Sequence, residues 1–199
     1  MKYTDLASLI QTPIFSKNDI AMAGGKLFDY QLTLWVKKGY LLKLKNGIYA
    51  FKKDYERIKG EEVAAALYQP SYLSLESALA HYGFIPEMVY AHVCVTAKIN
   101  RVFDNRFGRF IYRHVKSALF WGYQEVRTGM GWYLIAEPEK AILDYLYLNL
   151  SKIRSESDFK NLRLNRDRLG ETLDREKFLR YQQAFGIKKL VQWADRCLP

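Results

Sequence analysis

Between Ser16 and Phe51 the chain carries two helix signals, a break and a tight hairpin signal in unbroken succession, and this order restricts the fold more than any other feature. Ser16 is a favourable N-cap with Asp19 three residues on, so hydroxyl and carboxylate can cap the same helix reciprocally. Gly24-Gly25 breaks that helix after about two turns. The next is expected from about Lys26 to Lys38. Leu27, Phe28, Leu34, Trp35 and Val36 fall largely on one side at helical spacing, leaving Lys26, Asp29, Tyr30, Thr33 and Lys37 as a polar face. Gly39 ends the helix behind Lys37-Lys38, cations suited to its negative end. Leu42-Lys43-Leu44 and Ile48-Tyr49-Ala50-Phe51 then flank Asn46-Gly47, the pair a type I′ turn favours because both central residues take positive φ. Helix, turn, helix and hairpin in this order predict a winged helix-turn-helix, a unit that seats its second helix in the DNA major groove.

On that reading Lys26, Asp29, Tyr30 and Thr33 face base edges, flanked by Lys17 and Lys37. Lys43, Lys45 and Asn46 of the hairpin meet phosphate or reach into the minor groove. The charge has the right sign: residues 1–60 hold 11 Lys/Arg against 5 Asp/Glu. The competing reading is a winged helix used only for protein contacts, its polar face merely solvated.

The rest of the net charge of +10 is uneven. Residues 61–150 are close to neutral, with 8 basic and 9 acidic side chains, and residues 151–199 are basic again, with 12 against 7. Either basic end could meet nucleic acid or an acidic protein. At 199 residues and 49% apolar composition the chain can bury one or two cores. Its two cysteines, Cys94 and Cys197, form no Cys-x-x-Cys pair, which argues against a disulfide framework or zinc ribbon and fits a reducing cytoplasm. The first residues lack a signal peptide's apolar run, and no stretch approaches the roughly 18 apolar residues a membrane helix needs.

Three parts are expected: 1–58 as the winged unit, 59–150 as an α+β domain, and 151–199 as a helical extension. A helix near 4–10 precedes the winged unit, and a charged linker is expected near 52–60. A short helix over 61–68 follows, then one capped by Ser74 and ended by Gly83. Alternation predicts strands over 89–96 and 107–115, with two more near 120–126 and 132–136. Pro138 opens a helix with acids in its first turn. The middle therefore reads as a mostly antiparallel sheet with helices before and after it. Asp174 caps a helix ending at Gly186, with Phe178, Tyr181, Gln182 and Phe185 on one face, and a last helix carries Leu190, Trp193, Ala194 and Cys197.

Signals for catalysis are weak. Glu137, Glu139, Lys140 and Asp144 could suggest a Mg²⁺-dependent nuclease, but the acids suit a helix N-terminus and Lys140 and Asp144 can pair four residues apart. No P-loop spacing follows Gly24-Gly25, and no Gly-Ser pair leads into an Asp-x-Asp. His81, His92 and His114 have no ligand spacing, and Cys94 sits mid-strand as a packing residue. No catalytic residue, metal or cofactor is expected. Phe103, Phe107, Phe110 and Tyr112, interleaved with Arg101, Arg106, Arg109 and Arg113, form a candidate second surface for RNA or single strands. This gives the alternative of an RNA- or protein-interaction module whose winged helix is secondary.

The order of Trp35-Val36-Lys37-Lys38-Gly39-Tyr40-Leu41, Asn46-Gly47-Ile48-Tyr49-Ala50, Leu73-Ser74-Leu75-Glu76-Ser77-Ala78-Leu79 with Tyr82-Gly83, and Ala136-Glu137-Pro138-Glu139-Lys140-Ala141-Ile142-Leu143-Asp144 resembles the AbiEi family of antitoxins and transcriptional regulators from type IV toxin–antitoxin systems. The resemblance covers about residues 1–150. It implies a DNA-binding N-terminal domain that represses its own operon at inverted repeats in double-stranded DNA. It also implies a C-terminal domain that counters a nucleotidyltransferase toxin, without requiring a stable complex with it. Lys26, Tyr30, Thr33, Lys43, Lys45 and Asn46 match the elements that would touch DNA.

Overall fold

The computed structural model describes residues 1–198. Its first elements are helix α1 (Tyr3–Leu9), strand β1 (Ile14–Ser16), helices α2 (Lys17–Met22) and α3 (Asp29–Lys37), and strands β2 (Leu41–Lys45) and β3 (Ile48–Phe51). The capping arrangement expected at Ser16 is present: Asp19 N–H donates to Ser16 Oγ at 3.2 Å and Ser16 N–H donates to Asp19 Oδ2 at 2.6 Å. Strand β1, too short to read in the sequence, pairs antiparallel with β3 and completes a three-stranded sheet ordered β1-β3-β2.

Three expectations for this unit need correction. Helix α3 begins at Asp29, so Lys26, Leu27 and Phe28 precede it. Gln31 Oε1 accepts the Phe28 N–H at 3.1 Å and fixes the start there. Its buried face is Leu32 and Trp35, while Phe28 and Leu34 are exposed. The hairpin turn is not type I′: Gly47 takes φ 83°, whereas Asn46 is not among the positive-φ residues. The register also slips between Lys43 and Lys45, opposite Tyr49 and Ile48, so Leu44 is an extra residue on β2. Gly39, with φ 73°, ends α3 as expected, and Tyr40 N–H donates to Trp35 O at 2.9 Å.

The expected linker is instead a 3-10 turn over Lys52–Arg57. Tyr55 anchors it, with its ring 4.8 Å from that of Phe107 and its hydroxyl donating to Arg106 O at 3.1 Å. Helix α4 (Gly60–Leu67), strand β4 (Ser71–Leu73) and helix α5 (Leu75–His81) lead into strands β5 (Ala91–Thr96), β6 (Arg101–Asn105), β7 (Gly108–His114), β8 (Tyr123–Arg127) and β9 (Trp132–Ala136). They form one six-stranded sheet ordered β6-β7-β5-β4-β9-β8.

This sheet is mixed, a correction to the mostly antiparallel expectation. β5 runs parallel to β7, and β4 parallel to β9. Burial explains the order: β7 carries the fully buried Phe110 and Tyr112 and sits next to β5, while charged β6 passes outside it to the edge. The chain reverses twice between β5 and β7, which makes them parallel.

Helix α6 (Pro138–Asn149), opened by Pro138 as expected, packs against α5 and against the C-terminal helices. Of these it packs on α9 (Arg175–Phe185) and α10 (Lys188–Ala194), which follow α7 (Glu156–Lys160) and α8 (Arg166–Thr172). Asp174 caps α9 through the Lys177 N–H at 3.0 Å, and Gly186 ends it in the left-handed region. Phe178, Gln182 and Phe185 are buried, as are Leu190, Trp193, Ala194 and Cys197.

There are two cores. Leu6, Ile20, Leu32, Trp35, Leu41 and Phe51 centre the smaller one. Leu42, Leu44 and Ala50 face the other way and join the larger core of the body, which also takes in the tail helices. The small sheet is therefore buried on both faces.

Candidate nucleic-acid interface

The exposed side of residues 16–46 carries the side chains singled out from the sequence, in unequal states. Lys17 opens α2 and pairs with Asp29 at the start of α3, both well exposed. Asp29 holds the Lys17 ammonium above its ordinary value. This pair ties the two helices together across the Gly24-Gly25 break and leaves Asp29 less free to accept from a base. Lys26 is exposed on the connecting loop, off the helix on which it was expected. Thr33 is exposed, and its hydroxyl donates to Asp29 O at 2.9 Å, a back-bond along α3. Lys37 is exposed in the last turn, where a cation suits the helix end.

Tyr30 is 67% exposed and Phe28 66%, and their rings stack with centroids 5.9 Å apart. Phe28 is a surface residue, although helical spacing puts it on the apolar side of the expected helix. Its position one residue before the helix, which takes it off the α3 register, is the signal that could have found it. Met22, 86% exposed at the end of α2, is a further exposed apolar group of this unit. Exposed aromatic and thioether groups beside lysines can meet sugar, base face or thymine methyl, where lysines alone meet phosphate.

On the hairpin, Lys43 and Asn46 are exposed. Lys45 is not free in the same way. Its ammonium lies 5.4 Å from the centre of the Phe103 ring, and burial together with the Lys98 charge pulls it below the ordinary lysine value. Asn105 Nδ2 donates to Leu44 O at 3.4 Å, so β6 leans on β2. The cations of the hairpin thereby continue into the exposed Lys98, Arg101, Arg106 and Arg109 of the body. The aromatic residues of that stretch are not a stacking platform. Phe110 and Tyr112 are fully buried, and Phe103 and Phe107 pack on Tyr68 and Tyr55.

The acidic cluster around α6 does not open onto a site. Lys140 and Asp144 pair with no solvent exposure at all. Tyr72 and Ser74 each donate to Asp144 Oδ2 at 2.9 Å, and Lys140 donates to Tyr72 Oη at 2.8 Å. The rings of Trp121 and Phe185 stand 5.1 Å from the same ammonium. Burial pushes Asp144 up and Lys140 down, opposed in each case by the other's charge. Ser74 therefore does not cap α5 as expected, because Leu75 takes φ 53° and the hydroxyl turns to Asp144. Glu137 and Glu139 turn instead to Lys177 of α9, at 3.0 and 3.3 Å. Burial raises Glu137, but hydrogen bonds from Tyr181 and Lys177 bring it below the usual carboxylate value.

Two of the three histidines are packed or hydrogen-bonded, and His81 is exposed. His92 stacks on Phe110 with centroids 5.1 Å apart, and His114 Nδ1 lies 2.9 Å from Lys98 O. Among the described residues no group of three or more His, Cys, Asp or Glu is placed to hold a metal ion. Cys94 and Cys197 are buried thiols, both raised by burial, the latter to about 12. No described helix is long and apolar enough to cross a membrane. No family model and no curated protein matches the chain.

Proposed function

We propose that residues 1–51 act as a winged helix-turn-helix and that the protein is a DNA-binding transcriptional regulator. The observation that carries this reading is the outward surface of α3 and the β2–β3 hairpin. There Tyr30, Thr33 and Lys37 of α3 and Lys43 and Asn46 of the hairpin are all exposed, on a unit with a buried core of its own. In the proposed complex α3 enters the major groove, with Tyr30 and Thr33 at base edges. Lys26 and Lys37 contact phosphate on either side, and Lys43 and Asn46 follow the backbone or the minor groove.

The finer reading is an autorepressing antitoxin of the AbiEi type, acting at an inverted-repeat operator and countering a nucleotidyltransferase toxin in the cytoplasm. It is supported by the order of motifs along the chain. Two of those motifs meet in space: Ser74 reaches Asp144, and Tyr82 Oη donates to Ala136 O at 2.8 Å. They form scaffold, which fits a regulator without chemistry of its own.

A gel-shift titration against the DNA upstream of its own gene, with unrelated competitor, tests the reading. A discrete complex that survives competitor, and is lost when Tyr30 and Thr33 are both replaced by alanine, is the expected result. Binding that disappears with competitor would reduce the basic surface to nonspecific phosphate attraction. For the finer reading, co-expression with a neighbouring nucleotidyltransferase should relieve its toxicity. Unrelieved growth arrest would remove the antitoxin role.

A further inference from the structure

A cleft of about 480 Å³ lies between the small sheet on one side and α4 and the β8–β9 turn on the other. We propose that it binds a small molecule with a flat or extended apolar body and one acidic group. Its volume falls within the ~300–1,000 Å³ of ordinary small-molecule sites. The walls are largely apolar: Ile14 and Ile48 from the sheet, Ala66 from α4, and Trp132, which is 47% exposed.

The charges on the cleft decide the class of ligand. Asp19 and Glu62 both line it, yet both carboxylates are engaged with their own helix starts. Asp19 accepts from Ser16 N–H at 2.6 Å. Glu62 accepts from Lys59 N–H at 3.0 Å and from the Thr128 hydroxyl. Each acid keeps its charge but sits at a helix N-terminus, where the partial positive charge offsets part of it. Lys45 is the remaining charged group, and it pairs with no carboxylate among the described residues. Partly buried and beside the Lys98 charge, its ammonium gains from an incoming anion. Ser16 and Gln69 supply neutral polar groups nearby.

The walls are also formed in advance. Thr128 holds the β8–β9 turn by accepting from Gly131 N–H at 2.9 Å and is itself fastened to Glu62 on α4. The cleft touches β1, which leads directly into α2, so an occupant contacts both the small unit and the body. The site stands independently of whether the protein binds DNA.

Calorimetric titration with cinnamate, cinnamyl alcohol and cinnamylamine tests the proposal on the full chain. Cinnamate is expected to bind saturably, one per chain. The alcohol should bind at least about tenfold more weakly, and the amine more weakly still. Lys45→Met removes the ammonium while keeping an unbranched side chain, and should bring cinnamate down to the level of the alcohol. Ala66→Phe should fill the cleft and abolish both, with circular dichroism melting used to verify the fold. If Ala66→Phe does not fold, Lys45→Met decides alone. Three outcomes would each overturn the proposal: no saturable heat with cinnamate, an amine that binds as tightly as the acid, or cinnamate affinity unchanged by Lys45→Met.

Discussion

Four buried side chains, Asp144, Lys140, Tyr72 and Ser74, hold the middle of this chain together. Asp144 receives Lys140, Tyr72 and Ser74, and every one of these partners is buried. Removing one member of such a group leaves the others charged or polar in a dry core. Asp144→Leu should therefore lower unfolding stability by about 3–5 kcal/mol, and Lys140→Met by a similar amount. The double variant Lys140→Met/Asp144→Leu should lose much less than the sum of the singles. Urea denaturation of the four proteins in this cycle measures it, and simple additivity would mean the pair is not coupled. His92 supplies a pH dependence. Burial holds its imidazole below the ordinary histidine value, with the Glu61 charge opposing. The unfolded chain therefore takes up this proton first as pH falls. The His92 contribution is intact above about pH 6.5 and declines below it until the folded imidazole protonates too. Stability measured between about pH 5 and pH 7 should show a shallower slope in His92→Phe than in the parent. Gly60 belongs to the same contact, since a Cβ there would collide with His92 Nε2. Gly60→Ala must displace the ring.

Helix ends, more than helix interiors, position the exposed basic surface. Ser16 and Asp19 close α2 against the sheet, and Gln31 decides that α3 starts at Asp29. Ser16→Ala should lower stability by about 1 kcal/mol. Amide exchange in α2 should accelerate with it, and unchanged exchange would show that the cap does not hold this helix. Lys26 and Phe28 lie off the helix because α3 starts three residues later than the Gly24-Gly25 break by itself suggests. Periodicity alone could not separate Leu32, which is buried, from Leu34, which is not. The alternation of β5 and β7 was legible, whereas β1, β4 and β6 were not. Two of these are three residues long, and β6 is a charged edge strand with little alternating burial.

The two cores share one small sheet, and that sharing governs the molecule as a whole. Leu41 and Phe51 look into the small core, while Leu42, Leu44 and Ala50 look into the large one. Leu44→Ala should cost about 2–4 kcal/mol and should move the unfolding of both cores together. Trp35 reports the small core, and Trp121 and Trp193 report the large one. Single-tryptophan variants whose midpoints shift apart would show that the cores unfold independently. If the surface of α3 and the hairpin binds DNA as proposed, replacing Lys43 by alanine should reduce the slope of log affinity against log salt by about 1. Equilibrium binding over a salt series reads that slope directly.

Local chemistry fixed what the residues alone could announce: the Ser16 cap, the Gly39 and Gly186 stops, Pro138 at the head of its helix, and the hairpin at Gly47. Each depends on atoms within about one helical turn or one tight turn of chain, so the sequence carries it in full. Strand order, the parallel pairings, the double-sided burial of the small sheet and the solitary Lys45 in its cleft depend on residues far apart. Lys140 and Asp144 show the division most plainly. Their spacing of four predicted the pair, but only the tertiary structure surrounded it with Tyr72, Trp121 and Phe185. Burial by distant segments turned a surface pairing rule into a structural core.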